Sequence, residues 1–358
     1  MKRRSSVRAD LFKELAISLI SGLILAAGAS LLPVARPGSV LGSIPLWVYV
    51  ATAATLAALL AFLVANRLRR GRQAFVMISA IAETRWLADL LSDLSRALDR
   101  HGVDLVVKLP VHDHTGRSQL QCLDSLRRER RSYMGGFMVV DQLHRMPQEL
   151  SEACRHLRHP VVFLDRDPFA DEADFPPRTA FVGTDPAEIG EMVANLLAKH
   201  LIERGVRSPS VLVIAGDAQG PRAERFETRF RELMPSARIE TSTQGQFVRE
   251  RAREITLARL ARGGPAPDAI FCTNDEMALG AADAVQSRSP AADPMIIGVD
   301  GIPEALAAIG LGTGPFRGTA VQDTRRMAEV AVDALMRLRA GERPPTRLLV
   351  PTSLYPLS

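Results

Sequence analysis

Phe271-Cys272-Thr273-Asn274-Asp275-Glu276-Met277-Ala278-Leu279-Gly280 decides the fold. An apolar run that starts at Ala269 stops at Phe271, a polar turn follows, and a helical pattern runs from Glu276 to Gln286. A short strand passing directly into a helix is half of a βαβ unit, the building block of a parallel sheet covered on both faces. Asn274 and Asp275 stand at the junction, where such residues cap helices. That junction is also the place where a parallel sheet presents its ligands.

The same alternation extends in both directions. Upstream, strand-like runs at Phe75 to Ser79, Asp104 to Leu109, Gly136 to Val140 and Val161 to Leu164 are separated by helical patterns such as Trp86 to Arg100 and Leu120 to Arg131. A second series has strands near Ala180 to Val182, Val211 to Ile214, Arg238 to Glu240, Ala269 to Phe271 and Met295 to Gly298. Its helices run near Glu188 to Arg204, Arg222 to Leu233, Arg249 to Ala261 and Glu276 to Gln286. Two such series predict two α/β lobes with parallel sheets and a cleft between them. The polar residues at the strand ends are then the ones to inspect: Ser79, Asp165, Arg166, Asn274, Asp275, Asp300 and Gln322, with Arg225 at the start of a helix. Carboxylates, amides and guanidinium groups in such positions suit a polyhydroxylated ligand, because every hydroxyl both donates and accepts. Trp86 and Phe247 offer rings for the apolar face of a sugar.

The front of the chain differs. Leu15 to Leu32 and Leu46 to Ala65 are apolar runs of the length that crosses a bilayer, giving expected transmembrane helices at about residues 15–35 and 46–66 within a membrane anchor of residues 1–72. A cleaved signal peptide is the alternative for the first run. Residues 1–72 hold ten Lys or Arg against two acidic groups, a net of +8, so the whole chain's +5 leaves −3 for residues 73–358. The basicity belongs to the membrane flanks, and no nucleic-acid partner is expected. Lys2, Arg3, Arg4, Arg8 and Lys13 precede the first run, Arg67, Arg69, Arg70 and Arg72 follow the second, and only Arg36 lies between. The positive-inside rule then predicts a multi-pass plasma-membrane protein with a cytoplasmic binding domain, with the extracytoplasmic placement as the alternative.

Catalytic signatures are lacking: there is no GxSxG elbow, HExxH, Gly-rich phosphate loop with Lys-Ser/Thr, or GxGxxG after the first strand. Cys122, Cys154 and Cys272 have no metal spacing, and His112-Asp113-His114 has no further ligand nearby in sequence. A binding protein with neither enzymatic activity nor cofactor is expected.

Phe271 to Gly280, together with Ile297-Gly298-Val299-Asp300-Gly301-Ile302-Pro303 and Val182-Gly183-Thr184-Asp185, resembles the signature of ribose-type periplasmic binding proteins and lac-repressor-type sensor domains. The resemblance covers residues 73–358. It implies two Rossmann-like lobes joined by a hinge: lobe 1 at about 73–181 and 323–350, lobe 2 at about 182–322 and 351–358. It also implies a monosaccharide ligand held by Asp165, Arg166, Arg225, Phe247, Asn274, Asp300 and Gln322. The first loop departs from the family pattern of an Asn and two Phe: here it reads Ser79-Ala80-Ile81-Ala82-Glu83-Thr84-Arg85-Trp86. Glu83 takes the amide's place and Arg85 that of one ring, so both are expected to tune specificity, with Trp86 and Phe247 on either side of the sugar. With the apolar runs at the front, the expected function is a membrane-anchored solute-binding or sensor protein whose partners are the small ligand, the bilayer, and a permease or signalling protein. The alternatives are a receptor of a sugar ABC transporter with the domain outside the cell and a sensor for a non-sugar molecule.

Overall fold

The computed structural model describes residues 50–61, 73–78, 84–111, 115–129, 133–141, 143–217, 220–262, 265–288 and 293–355. The chain divides into two units, residues 1–69 and 70–358. In the first, residues 50–61 are helical, with Val50, Leu56, Leu59 and Leu60 exposed. No helix among the described residues is long and apolar enough to cross a membrane. The spans expected at 15–35 and 46–66 lie outside the described residues except for 50–61.

The second unit carries two six-stranded sheets. Strands β1 (Gln73–Met77), β2 (Asp104–Lys108), β3 (Gly135–Val139), β4 (Val161–Leu164) and β5 (Thr179–Gly183) belong to the first. Strands β6 (Ser210–Ile214), β7 (Arg238–Ser242), β8 (Ala269–Cys272), β9 (Met295–Asp300) and β10 (Phe316–Val321) belong to the second. The chain then returns to each sheet once. β11 (Arg347–Leu349) adds parallel to β5, and β12 (Ser353–Tyr355) adds antiparallel to β10. The strand orders are β11-β5-β4-β3-β1-β2 and β12-β10-β9-β8-β6-β7. This is the two-lobed α/β architecture that the βαβ alternation predicts.

Helices cover both faces of each sheet, so the central strands are apolar throughout. In lobe 1, Ala74 and Val76 of β1 join one core with α1 (Arg85–Asp99), whereas Phe75 and Met77 join another with α2 (Arg117–Arg128) and α3 (Pro147–Arg155). α1 begins where Thr84 Oγ1 accepts from the Leu87 N–H at 3.4 Å, and it buries Trp86, Leu90, Leu94, Ala97 and Leu98 on one stripe. Asp185 caps α4 (Pro186–Glu203) in the same way, and Pro186 occupies its first turn.

In lobe 2, α4 packs on α5 (Pro221–Leu233), and α6 (Arg249–Ala261) on α7 (Asp275–Arg288). Both pairs meet through a glycine. A Cβ on Gly190 would lie 2.2 Å from the Arg222 carbonyl oxygen, and one on Gly280 would lie 2.0 Å from that of Arg249. The lobe is completed by α8 (Pro303–Leu311), while α9 (Thr324–Arg339) returns to lobe 1 and packs on α1. Three segments pass between the lobes: those after β5, after β10, and between β11 and β12.

Candidate ligand-binding cleft

The carboxyl ends of β4 and β5 from one sheet meet those of β6, β8, β9 and β10 from the other. Asp165 follows β4 at φ +68°, and Asp300 closes β9 at φ +120°. A non-glycine residue with positive φ costs of order 1–3 kcal/mol and tends to mark a functional position. Two of the residues with such backbones are the aspartates that face each other from opposite lobes. Burial raises the pKa of both carboxyls, while the Arg222 guanidinium works against that rise. Asp300 is pushed up to about 7, and the charges of Asp165 and Glu276 add to the effect.

Gln322, in the second crossover, ties the lobes together. Its Nε2 donates to Asp300 Oδ1 at 2.7 Å, and its Oε1 accepts from Thr184 Oγ1 at 2.6 Å. Its backbone carbonyl accepts from Trp86 Nε1 at 3.4 Å. Asp275 braces the same region from beneath. Its Oδ2 accepts from the N–H groups of Gly301 and Ile302 at 2.7 and 3.0 Å, and its Oδ1 accepts from Thr319 Oγ1 at 2.7 Å. Burial and the neighbouring Asp300 hold its carboxyl well above the usual aspartate range. Asp275 therefore shapes the turn that carries Asp300.

Asn274 caps α7, its Oδ1 accepting from the Met277 N–H at 3.0 Å, and also clamps the Phe247 carbonyl through Nδ2 at 3.1 Å. Gln246 and Phe247 both have left-handed backbones, with φ +52° and +60°. This places the Phe247 ring over Gly216, where an added Cβ would meet the ring at 2.4 Å. Two polar groups cross the cleft directly. Arg166 donates to Asp217 Oδ2 at 2.9 Å, with His144 Nδ1 3.5 Å from its guanidinium. Glu276 of lobe 2 faces the backbone N–H of Arg85 in lobe 1, and burial raises its pKa against that hydrogen bond.

Asp165, Arg166, Phe247, Asn274, Asp300 and Gln322 thus come together at the strand ends, but three other expected residues do not join them. Arg225 points away from the cleft and pairs with Glu191 of α4 at 2.9 Å on the exposed face. Arg222 stands in its place: Pro221 starts the helix, so the residue after it sits on the strand-end rim while Arg225 lies almost a turn further on. Arg222 Nη1 donates to the Thr273 carbonyl, and its buried Nε has no partner among the described residues. The Arg85 side chain is exposed and lies along its own helix towards Asp89 at 3.7 Å, so its backbone, rather than its guanidinium, faces the cleft. Trp86 is buried in the lobe 1 core and presents its indole N–H to the crossover. Glu83 lies outside the described residues, as do Ser79 and His112 to His114. Sequence reasoning missed Arg222, Asp217, Thr184, His144 and Glu276. For Arg222, Gly220-Pro221 was the available signal.

Comparison with known proteins agrees with the two-lobed fold. The D-allose-binding periplasmic protein of Escherichia coli strain K12 is 29% identical over 133 residues, covering 37% of this chain and 42% of that protein. The ribose import binding protein of Bacillus subtilis strain 168 is 26% identical over 197 residues, 54% of this chain and 60% of that protein. Both matches therefore span less than two thirds of the relative's length. Among solved structures, a periplasmic solute-binding protein of an ABC transporter from Actinobacillus succinogenes with bound D-allose superposes with a TM-score of 0.66 at 18% identity. That superposition covers 80% of this chain and 97% of the other. Residues 152–343 match the family model described as periplasmic binding protein domain, and the chain belongs to that family.

Proposed function

We propose that residues 70–358 bind a monosaccharide or related polyol between the lobes, as the receptor component of a sugar transporter. The observation that carries this reading is the convergence of Asp165 and Arg166 from lobe 1 with Arg222 and Asp300 from lobe 2 around the crossover residue Gln322. These groups present donors and acceptors to hydroxyls, and the Phe247 ring offers a face to the sugar's C–H groups. Asn274 positions Phe247 and caps α7 beside it. The names of the relatives, D-allose-binding and ribose import binding, support the same ligand class. Binding favours the closed form because both lobes contribute contacts to one ligand.

Calorimetry of the full chain against D-allose, D-ribose, D-galactose and D-glucose tests this, with Arg222→Ala as the companion variant. Binding of at least one sugar, weakened about tenfold or more by the variant, supports it. Silence across the panel, or binding indifferent to Arg222→Ala, refutes it.

A second reading is a bilayer-tethered sensor with the binding domain in the cytoplasm, acting through a partner protein. It rests on the arginines at 67, 69, 70 and 72, and on the exposed apolar side chains of residues 50–61. Protease added outside intact cells separates the two: degradation of the binding domain favours the transport receptor, and protection favours the sensor.

A further inference from the structure

Sugar binding between the lobes leaves the charge of the ligand open, and the cleft bears on it. Among the described residues, four carboxylates face the cleft, Asp165, Asp217, Asp300 and Glu276, with the guanidinium groups of Arg166 and Arg222 beside them. Arg166 is committed to Asp217 at 2.9 Å. Arg222 is the cation that acts on both Asp165 and Asp300, and its Nη1 bonds the Thr273 carbonyl, not a carboxylate; Glu276 feels Arg249, which is itself paired with Asp283 and Glu304. Asp165 receives no side-chain hydrogen bond among the described residues, and Asp300 receives one, on Oδ1 from Gln322. Asp300 is only 7% exposed, and no hydrogen bond among the described residues reaches its other oxygen. Asp275 behind it is satisfied by Gly301, Ile302 and Thr319 and takes no part.

Building on the sugar-binding proposal, we infer that the preferred ligand is an amino sugar or amino polyol whose protonated amine sits between Asp165 and Asp300, in place of one hydroxyl. A neutral polyol closed into this cleft leaves an excess of negative charge in a site that loses its water, an arrangement that is costly without a counter-charge. An ammonium group brings that charge and three donors to acceptors that lack them, and charge-assisted bonds of this kind are roughly twice as strong as neutral ones. The strained backbones of Asp165 and Asp300 hold both carboxylates at the cleft before the ligand arrives.

The test is calorimetry of the full chain at pH 7.5 with matched pairs: D-glucosamine and D-glucose, D-galactosamine and D-galactose, and an inositol with its amino-deoxy counterpart. N-acetylglucosamine serves as the amine with its charge removed. The amine should bind about tenfold tighter or more in at least one pair, acetylation should abolish the gain, and Asp300→Asn should bring the ratio within that pair towards one. If amine and hydroxyl bind equally in every pair that binds, or if the acetylated sugar matches the free amine, the inference is overturned while the sugar-binding reading stands. If no member of any pair binds, both fall. The matched pairs decide the matter with the unaltered chain even if the variant fails to fold.

Discussion

Replacing Asp300 by Asn should stabilise the empty protein, and the gain should grow with pH. In the folded chain the Asp300 carboxyl is raised from 3.8 to about 7, first by burial and then by the charges of Asp165 and Glu276, against the pull of Arg222 and Gln322. The folded state therefore holds the proton more tightly than the unfolded state. Between about pH 4 and 7 the unfolded chain has released this proton and the folded chain has not, so stability falls as pH rises through that window. One pH unit of separation is worth about 1.4 kcal/mol, and three units amount to about 4 kcal/mol at pH 8. Asparagine removes the titration but keeps an oxygen to accept from Gln322 Nε2. It also tolerates positive φ, which this position requires. Relief of Asp275, whose carboxyl Asp300 helps to hold up, acts in the same direction. The assay is urea unfolding of wild type and variant without ligand at pH 5, 6, 7 and 8, followed by circular dichroism. The gain should be small at pH 5 and reach its plateau above pH 7. A gain that is the same at all four values, or largest at pH 5, refutes the assignment of a buried, raised carboxyl.

Three further outcomes are expected. Asp217→Ala removes the cross-cleft bond to Arg166, a partly exposed pair worth about 0.2–1 kcal/mol, so the ligand-free protein should open and its radius of gyration by small-angle X-ray scattering should rise; an unchanged radius contradicts a latch. Gly190→Ala should push the start of α5 and Arg222 outwards, weakening sugar binding about tenfold or more in calorimetry, because its Cβ would lie 2.2 Å from the Arg222 carbonyl; unchanged affinity means that the site tolerates the displacement. Gly216→Ala should displace the Phe247 ring, which its Cβ would meet at 2.4 Å, and lower sugar affinity by roughly the 0.5–1.5 kcal/mol typical of one ring contact; equal affinity in a titration would show that the ring does not touch ligand.

The lobes were legible in the sequence because each βα junction announces itself. Apolar runs such as Val161–Leu164 and Ala269–Cys272 are buried on both faces, and amphipathic stretches follow them. The short strands β11 and β12 were not legible. Three residues carry no periodicity, and each gains its pairing from a strand far away in sequence. In the cleft, Asp165, Asp300 and Gln322 stand at strand ends, and they were named both from such positions and from the resemblance to ribose-type binding proteins. Arg222 was passed over for Arg225 because both are arginines on one helix and only the packing of α5 on α4 shows which one reaches the rim. Thr184, Asp217 and His144 become partners only when two lobes are brought together, and no spacing along the chain encodes that meeting.

The late return of β11 to β5 and of β12 to β10 has a consequence for synthesis. During translation, the first lobe emerges without its edge strand and without α9, which packs on α1. It waits for both until all of the second lobe except β12 has left the ribosome. The nascent chain therefore carries an open sheet edge at β5 from the time Gly183 is made until Arg347 follows, and unpaired edges invite association with other chains. Ribosome-stalled chains ending before Arg347 should bind holdase chaperones, and chains extended beyond Tyr355 should be released from them.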